Sequence, residues 1–209
     1  MSGPGLDTRL CELARQARAC RLCRDNPVGL PLPYEPRPVF TLSAKAKILI
    51  AGQAPGVRVN ESGKPFTDRS GDRLREWMAV SREEFYDSDL VAILPMSFCF
   101  PGNDRHGGDL PPRRECAPRW RADMIALMPG IDLVLVVGQY AQAWHLGKAR
   151  GASLTETVRD WRLHMRRNIV PLPHPSWRNT AWLKRNPWFE TELLPVLRRE
   201  IRNRISPPE

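Results

Sequence analysis

Long hydrophobic runs are missing from this sequence: no stretch approaches the roughly 20 apolar residues that a membrane-spanning helix needs. The N-terminal segment MSGPGLDTRLCELARQAR carries charge where a signal peptide would have an apolar core. Low-complexity linkers and internal repeats are also missing, since the 21 prolines and 14 glycines are spread along the chain. We therefore predict a cytoplasmic monomer with no membrane partner, and a single domain over residues 1–209 that includes an N-terminal helix and a proline-rich strap within 1–45.

Acidic residues are few relative to basic ones. Lys and Arg number 32 against 23 Asp and Glu, which gives a formal charge of +9 and a pI near 9.9. This balance favours a polyanionic partner such as DNA or RNA. A protein whose surface is simply basic would have the same composition, so charge alone leaves both interpretations open.

Short apolar runs alternate with helical patterns along the chain. Each run is apolar on both faces, which is typical of a parallel sheet covered by helices on both sides. The predicted fold is a three-layer α/β/α sandwich around a central, mainly parallel sheet of four strands. The strands are expected at residues 46–51, 89–95, 132–138 and 168–173.

Helix-start signals place several helices between these strands. A helix is expected over residues 70–80, with Ser70 as its N-cap. Ser81 followed by Glu84 forms a capping-box pattern for the next helix. The segment Gln139–Leu146 predicts another, and residues 187–204 predict an amphipathic helix interrupted by its proline.

Two chemically unusual segments directly follow predicted strands. The loop GQAPGVRVNESGKPF (52–66) follows the first, and HPS (174–176) follows the last. A loop this long in a compact domain is usually functional or disordered. Because ligands of parallel α/β sheets bind at the carboxyl ends of the strands, both segments are expected to border one site.

In a cytoplasmic chain the five cysteines are expected to be metal ligands or inert core residues and not to form disulfides. Cys20 and Cys23 form a C-x-x-C, and Cys99 and Cys116 follow far downstream. Four thiolates suit tetrahedral zinc or an iron–sulfur cluster, while a redox pair and buried thiols are further alternatives. Cys11 is left over and is expected to pack near the apolar face of the first helix.

These motifs together resemble the uracil-DNA glycosylase superfamily, nearest its family 4. That family's pattern begins GEAPG and continues at the same spacing to G-x-PF-x-GR-x-G; residues 52–71 keep that length, and HPS follows the last strand. The resemblance implies an enzyme that flips uracil out of DNA, hydrolyses its N-glycosidic bond and leaves an abasic site. It also implies a [4Fe-4S] cluster, whose four ligands would be Cys20, Cys23, Cys99 and Cys116.

The resemblance assigns roles that suit the chemistry of base release. Negative charge develops on the departing base, so fixed donors aimed at its carbonyl accelerate the reaction. The backbone of Gly52, Gln53 and Ala54 would supply such donors, and a neutral His174 would donate to the uracil O2. Phe66 would stack on the flipped ring. Without the resemblance, His174 could simply hold its loop, and Phe66 could simply pack in the core.

Gln53 stands where family 4 usually has a carboxylate. A carboxamide can hold a water molecule but is not a competent base. Gln53 is nevertheless assigned with His174 as catalytic. Asn60 and Glu61, later in the same loop, could add polarity and negative charge, although both could also lie on a solvated face.

The family's uracil-reading Asn is a second departure. Counting back from Cys99 places Pro95 at its position, and counting back from Gly102 places Leu94 there. Neither side chain can make a bidentate contact with a base edge. Ser97 is the nearest polar side chain and is the predicted substitute.

The segment HPSWRNTAWLKRNPWF (174–189) interleaves aromatic and basic residues, as proteins that bind strands with splayed bases do. Ser176, Trp177 and Arg178 are the predicted DNA contacts, with Trp177 or Arg178 filling the gap left by the flipped base. Trp182 and Trp188 are expected in the core. The alternatives to a uracil-DNA glycosylase are a slow or non-catalytic binder of uracil-containing or abasic DNA, and a glycosylase for another deaminated base.

Overall fold

A computed structural model of the chain describes residues 5–206, so the first four and last three residues of the predicted 1–209 domain lie outside the described residues. The strands of the described part are β1 (Ile48–Ala51), β2 (Val91–Ile93), β3 (Leu133–Val137) and β4 (Ile169–Leu172). They form one sheet in the order β2-β1-β3-β4, and every pair is parallel. The predicted α/β fold and its four strands are confirmed.

Helices fill the segments between and beyond the strands. The α-helices of the described part are α1 (Leu6–Arg18), α2 (Leu22–Asp25), α3 (Val57–Ser62), α4 (Arg69–Met78), α5 (Arg82–Tyr86), α6 (Cys116–Ala126), α7 (Gln139–Leu146), α8 (Leu154–Arg159), α9 (Trp161–Met165), α10 (Thr180–Arg185) and α11 (Leu194–Ile205). Short 3₁₀ turns occupy Gly147–Ala149 and Trp177–Asn179, and a π-helical turn at Phe189–Leu193 leads into α11. No helix within residues 5–206 is long and apolar enough to cross a membrane.

Successive residues of β1 face opposite layers. Ile48 and Ile50 pack in a core cluster with residues of α4 and α11, whereas Leu49 packs in a second cluster with residues of α1 and α6. All four residues of β1 are buried, as expected for a strand covered on both sides. This alternation produces the three layers. Helices cover both faces of the sheet, so the loops at the ends of the strands remain accessible.

The helix starts agree with the sequence at one position and differ at another. Ser81 and Glu84 form the predicted capping box: the Glu84 backbone N–H donates to the Ser81 hydroxyl over 3.1 Å, and the Ser81 N–H donates to the Glu84 carboxylate over 2.8 Å. The predicted N-cap Ser70 is wrong. Asp68 caps α4, because its carboxylate accepts from the backbone N–H of Gly71 over 3.1 Å, and Ser70 lies inside the first turn.

Other local predictions need adjustment. The predicted 52–66 loop contains the six-residue helix α3, which ends at Gly63 with a left-handed φ of 69°. Residues 26–40 run without helix or strand, as the proline-rich strap predicts. Cys11 is exposed on α1 and does not pack near its apolar face. Helical backbone runs without a break from Trp188 to Ile205, and the π-helical turn Phe189–Leu193 lies just before Pro195, so the predicted helix is present and its regular α-helical geometry is interrupted next to this proline.

Candidate active site

A cleft opens where the loops after β1 and β4 meet at the carboxyl edge of the sheet. Its volume is about 220 Å³, and it is open to solvent on one side. The loop after β1, the segment that precedes α4 and the segment after β4 supply most of its wall. Eight of the predicted site residues line it: Gly52, Gln53, Ala54, Phe66, His174, Ser176, Trp177 and Arg178.

Phe66 is held in this wall by a strained backbone. Its φ of 53° lies in the left-handed region, which a bulky residue adopts only when its surroundings impose it. The Phe66 carbonyl accepts hydrogen bonds from the Tyr86 hydroxyl over 3.0 Å and from Arg75 over 3.3 Å. Gly71 lies so close that a Cβ added there would stand 1.8 Å from the same carbonyl oxygen. The start of α4 therefore fixes the direction of the Phe66 ring.

The Phe66 ring lies between the β1 loop and the core. A Cβ built on Gly52 would lie 3.5 Å from the ring, which is ordinary contact. The opposite neighbour is Phe85, whose ring centroid is 6.1 Å away at an interplanar angle of 88°. Phe66 is thus part of the cleft wall with one edge anchored in the core, as required of a platform on which a planar ring can stack.

His174 is electrically neutral at neutral pH in this environment. Burial lowers the pKa of its imidazole below the usual value, and the positive charge of Arg178 lowers it further. Asp68 and Asp109 act in the opposite direction, but burial is the largest cause. The Asn179 amide donates to the His174 carbonyl over 2.7 Å and so fixes its backbone. The site therefore contains a ring N–H donor without a positive charge.

The Gln53 side chain packs against the residue that follows β3. A Cβ added to Gly138, the residue after β3, would lie 3.0 Å from the Gln53 side-chain carbonyl carbon. Gly138 also has a φ of 84°, which favours glycine. On the backbone, the Gln53 carbonyl accepts from the Ser97 N–H over 3.0 Å. The side chain of Gln53 is therefore wedged against the start of α7.

Two predicted substrate contacts do not line the cleft. Asn60 lies on α3 outside its wall, as does the neighbouring Glu61, whose side chain is exposed. Ser97 lines a different cavity, and its hydroxyl donates to the Cys99 carbonyl over 3.4 Å. Pro95 does line the cleft, so an apolar ring stands where the family pattern has an amide.

Two carboxylates of the cleft were missed by the sequence analysis: Asp68 and Asp109. A signal for Asp68 existed, because the sequence PFTDRSG has Asp where the quoted family pattern has Gly. No local signal marks Asp109, which lies between β2 and α6 and reaches the cleft only through the tertiary fold.

The DNA-binding candidates stand at the rim. Trp177 is 74% exposed, and the Arg178 guanidinium lies 5.8 Å from the centre of its ring. Arg178 also donates to the Gly107 carbonyl over 3.4 Å, which joins this segment to the loop after β2. Arg73 donates to the Ser176 carbonyl over 3.0 Å. An exposed large aromatic side chain therefore stands at the rim of the cleft beside the cationic Arg178.

The four predicted cluster cysteines line one second, narrow cavity. Cys20 lies between α1 and α2, Cys23 in α2, Cys99 in the segment after β2 and Cys116 at the first residue of α6. Burial raises the pKa of Cys23 to about 11 and that of Cys99 to about 12. Such thiols lose their protons only beside compensating positive charge, which bound metal supplies.

The surroundings of this cavity fit an anionic, sulfur-rich group. Trp120 lines the cavity, and its buried indole N–H has no acceptor within the described residues. Arg121, the next residue of α6, is fully buried; it donates to the carbonyls of Leu94 and Pro95 and hydrogen-bonds the His145 ring, and no carboxylate of the described residues pairs with it. A thiolate-ligated iron–sulfur cluster would accept such a hydrogen bond and offset such a charge.

No group of three or more His, Cys, Asp or Glu within residues 5–206 is arranged to hold a metal ion. That arrangement concerns ligands gathered around one ion, as at a tetrahedral zinc. In a [4Fe-4S] cluster each cysteine binds its own iron, so the four thiols stand farther apart around a larger volume. The donor set and the shared cavity are therefore compatible with a cluster.

A family model described as the uracil DNA glycosylase superfamily matches residues 40–198. The chain belongs to the uracil-DNA glycosylase superfamily. A protein named type-4 uracil-DNA glycosylase from Saccharolobus solfataricus is 25% identical over 151 residues, which cover 64% of this chain and 62% of that relative. The predicted family is thereby confirmed, and the type of the relative agrees with the predicted family 4.

The superfamily match includes every cleft residue described above but begins after two of the four cysteines. Cys20 and Cys23 precede residue 40, whereas Cys99 and Cys116 lie inside the matched range. The fold brings the two pairs to one cavity through α1, α2 and the strap. The region that matches the superfamily therefore contains only two of the four cysteines, and the N-terminal segment supplies the other two.

Proposed function

We propose that this protein is a monofunctional uracil-DNA glycosylase that acts as a single-domain monomer on uracil-containing DNA, single- or double-stranded. It flips uracil out of the DNA, hydrolyses the N-glycosidic bond, releases free uracil and leaves an abasic site. One observation carries the proposal: a single cleft joins an anchored aromatic platform, a neutral histidine and a glycine-flanked loop backbone.

The cleft binds the base as a flipped ring. Extrusion costs a few kcal/mol of stacking and pairing, which contacts inside the pocket must offset. Phe66 offers its ring for stacking. The backbone of Gly52, Gln53 and Ala54 also lines the pocket, and Gly52 has no side chain to keep the base away from it. The strained peptide of Phe66 keeps the platform in place before the base arrives.

His174 stabilises the leaving group. When the bond to the sugar breaks, its electron pair moves onto the base and charge accumulates at O2. A neutral imidazole N–H can donate to this oxygen without giving up its proton, and such donors are typically worth about 2.7–4 kcal/mol. The lowered pKa of His174 keeps the ring in this form at neutral pH.

The rim engages the DNA. Trp177 is exposed enough to enter the stack as the base leaves, and Arg178 beside it can contact phosphate. Ser176, whose carbonyl is held by Arg73, sets the start of this wedge. Base flipping and base binding are thereby coupled, because the wedge follows His174 after only two residues.

We also propose that Cys20, Cys23, Cys99 and Cys116 hold a [4Fe-4S] cluster. The cluster would cross-link the N-terminal segment to the segments after β2 and at the start of α6, and a hydrolytic reaction needs no electron transfer from it. The shared cavity, the unpaired Trp120 N–H and the buried Arg121 support this proposal.

Pro95 in the cleft wall favours a second candidate function. Without an amide at this position, the cleft lacks a side chain that would distinguish uracil by a bidentate contact. A glycosylase for another deaminated base, or a binder that holds uracil-containing or abasic DNA without turnover, would use the same cleft.

The test uses labelled oligonucleotides that contain uracil, hypoxanthine, xanthine or a mismatched thymine. Each is incubated with the protein and then treated with alkali, which cleaves the strand at an abasic site. We expect cleavage of the uracil strand only. Cleavage of another strand would assign that base as substrate, and binding without cleavage of any strand would establish the binder.

A further inference from the structure

The loop after β1 lacks the negative charge that base release requires. As the base departs, positive charge develops on the sugar, and a nearby carboxylate would stabilise it or deprotonate the attacking water. Gln53 is uncharged and wedged against Gly138, and Glu61 is exposed on α3 outside the cleft. The carboxylate must therefore come from another segment.

Asp68 is one of the two carboxylates that line the cleft, but it already has a structural partner. One of its oxygens accepts from the Gly71 N–H over 3.1 Å as the N-cap of α4. The same turn imposes the strained backbone of Phe66. Asp68 is therefore committed to building the wall.

Asp109 is oriented differently. The Asn103 amide donates to its Oδ1 over 3.1 Å, and Asn103 and Asp109 pair as an antiparallel bridge that closes their loop. The other oxygen, Oδ2, lies 3.6 Å from the position that a Cβ on Gly56 would occupy. One oxygen is thus fixed, while the second faces the loop that follows β1.

Asp109 and His174 share the electrostatic field of the cleft. The negative charges of Asp68 and Asp109 both oppose the effect of burial on the pKa of the His174 imidazole, Asp68 more strongly, so both carboxylates lie within electrostatic reach of the ring. A donor for the anionic base and a carboxylate for the cationic sugar are the two charges that the transition state needs. Gly56 leaves room for a substrate or water beside Oδ2, because it has no side chain.

We propose that Asp109 is the catalytic carboxylate of this protein, in place of the one that Gln53 does not provide. This inference rests on the proposed function. The C1′–N bond breaks and its electron pair leaves with the base, while Asp109 stabilises the positive sugar. The oxygen of a water molecule then bonds to C1′, and its proton passes to Oδ2 of Asp109.

The test measures single-turnover excision from a uracil oligonucleotide at saturating protein. Asp109→Asn keeps an acceptor for Asn103 and removes the charge, so we expect the rate to fall by about 10²–10⁴, the range typical of a lost general base. Glu61→Gln, which removes a charge outside the cleft, is the matched control and should keep the wild-type rate. Asp68→Asn keeps a good N-cap side chain and should lose less than Asp109→Asn.

Chemical rescue separates a catalytic role from a structural one. Asp109 is exposed, so formate can reach the space left in Asp109→Ala. We expect formate, but not chloride at equal ionic strength, to restore part of the rate in proportion to its concentration. A wild-type rate in Asp109→Asn, a larger loss in Asp68→Asn or the absence of formate rescue would overturn the assignment while leaving the glycosylase intact. A wild-type protein that releases no base would remove both proposals.

Discussion

The cleft and the cysteine cavity differ in where their residues come from and in what surrounds them. The cleft takes most of its residues from segments directly after β1 and β4, and charged side chains adjust its histidine. The cysteine cavity gathers its thiols from three separate segments, and three of the four thiols are buried. Changes in the cleft should therefore alter the rate of chemistry, whereas changes in the cavity should alter the stability of the fold.

On the cleft side of this comparison, His174→Ala should have the largest effect, alongside the loss expected for Asp109→Asn. It removes the donor to the leaving base, so we expect single-turnover excision to slow by about 10²–10³. DNA binding, iron content and the unfolding midpoint should stay near wild type. Gln53→Ala is the comparison variant, and its loss should be smaller because the Gln53 side chain packs on Gly138. The reverse order would assign the reaction to the β1 loop alone.

The positions of His174 and the β1 loop could be predicted because strand runs and parallel topology specify them. An apolar run that becomes a strand delivers the next residues to the carboxyl edge, so GQAPG and HPS were expected to meet. The position of Asp109 could not be predicted in this way. Asp109 reaches the cleft from a loop that is closed by its hydrogen bond with Asn103, and no periodic pattern in the sequence indicates that contact.

Other discrepancies have local causes. Ser97 follows β2 at the carboxyl end of the sheet, as expected, but its side chain turns toward Cys99 and away from the cleft. Ser70 is a good capping residue, yet Asp68 caps α4 two residues earlier, directly after the turn in which Phe66 adopts a positive φ. Side-chain direction and backbone strain of this kind depend on neighbours from elsewhere in the chain.

Cys20→Ser should have the largest effect on the cavity side. Freshly purified wild-type protein should be brown and contain roughly four irons per chain, as a [4Fe-4S] cluster requires. The variant should lose colour and solubility, because the N-terminal segment loses its link to the rest of the fold. Cys11→Ser is the matched control, since Cys11 is exposed and does not line the cysteine cavity. Colourless wild-type protein with one zinc per chain would contradict the cluster.

Gly71→Ala tests the contrast between cleft and cavity further. Gly71 lies behind the cleft wall, but its substitution should lower the free energy of unfolding. A methyl group there would collide with the Phe66 carbonyl, and overpacking of this kind costs typically about 1–3 kcal/mol. Gly52→Ala is the control, since its added Cβ meets the Phe66 ring only at ordinary contact distance. Denaturant unfolding should show a loss for the first variant and little change for the second. Equal stabilities would mean that the start of α4 yields without strain.

Arg178→Ala should have the smallest effect, and on binding alone. Phosphate contacts dominate affinity for DNA, so loss of one should weaken duplex binding across sequences and lower the salt slope by about 1. Arg166→Ala removes the same charge from an exposed position just before β4, at the amino edge of the sheet, and should leave both quantities unchanged. Fluorescence anisotropy over a salt series measures both variants. If the two behave alike, Arg178 contributes only to net charge, and the exposed Trp177 must hold the DNA at the rim without it.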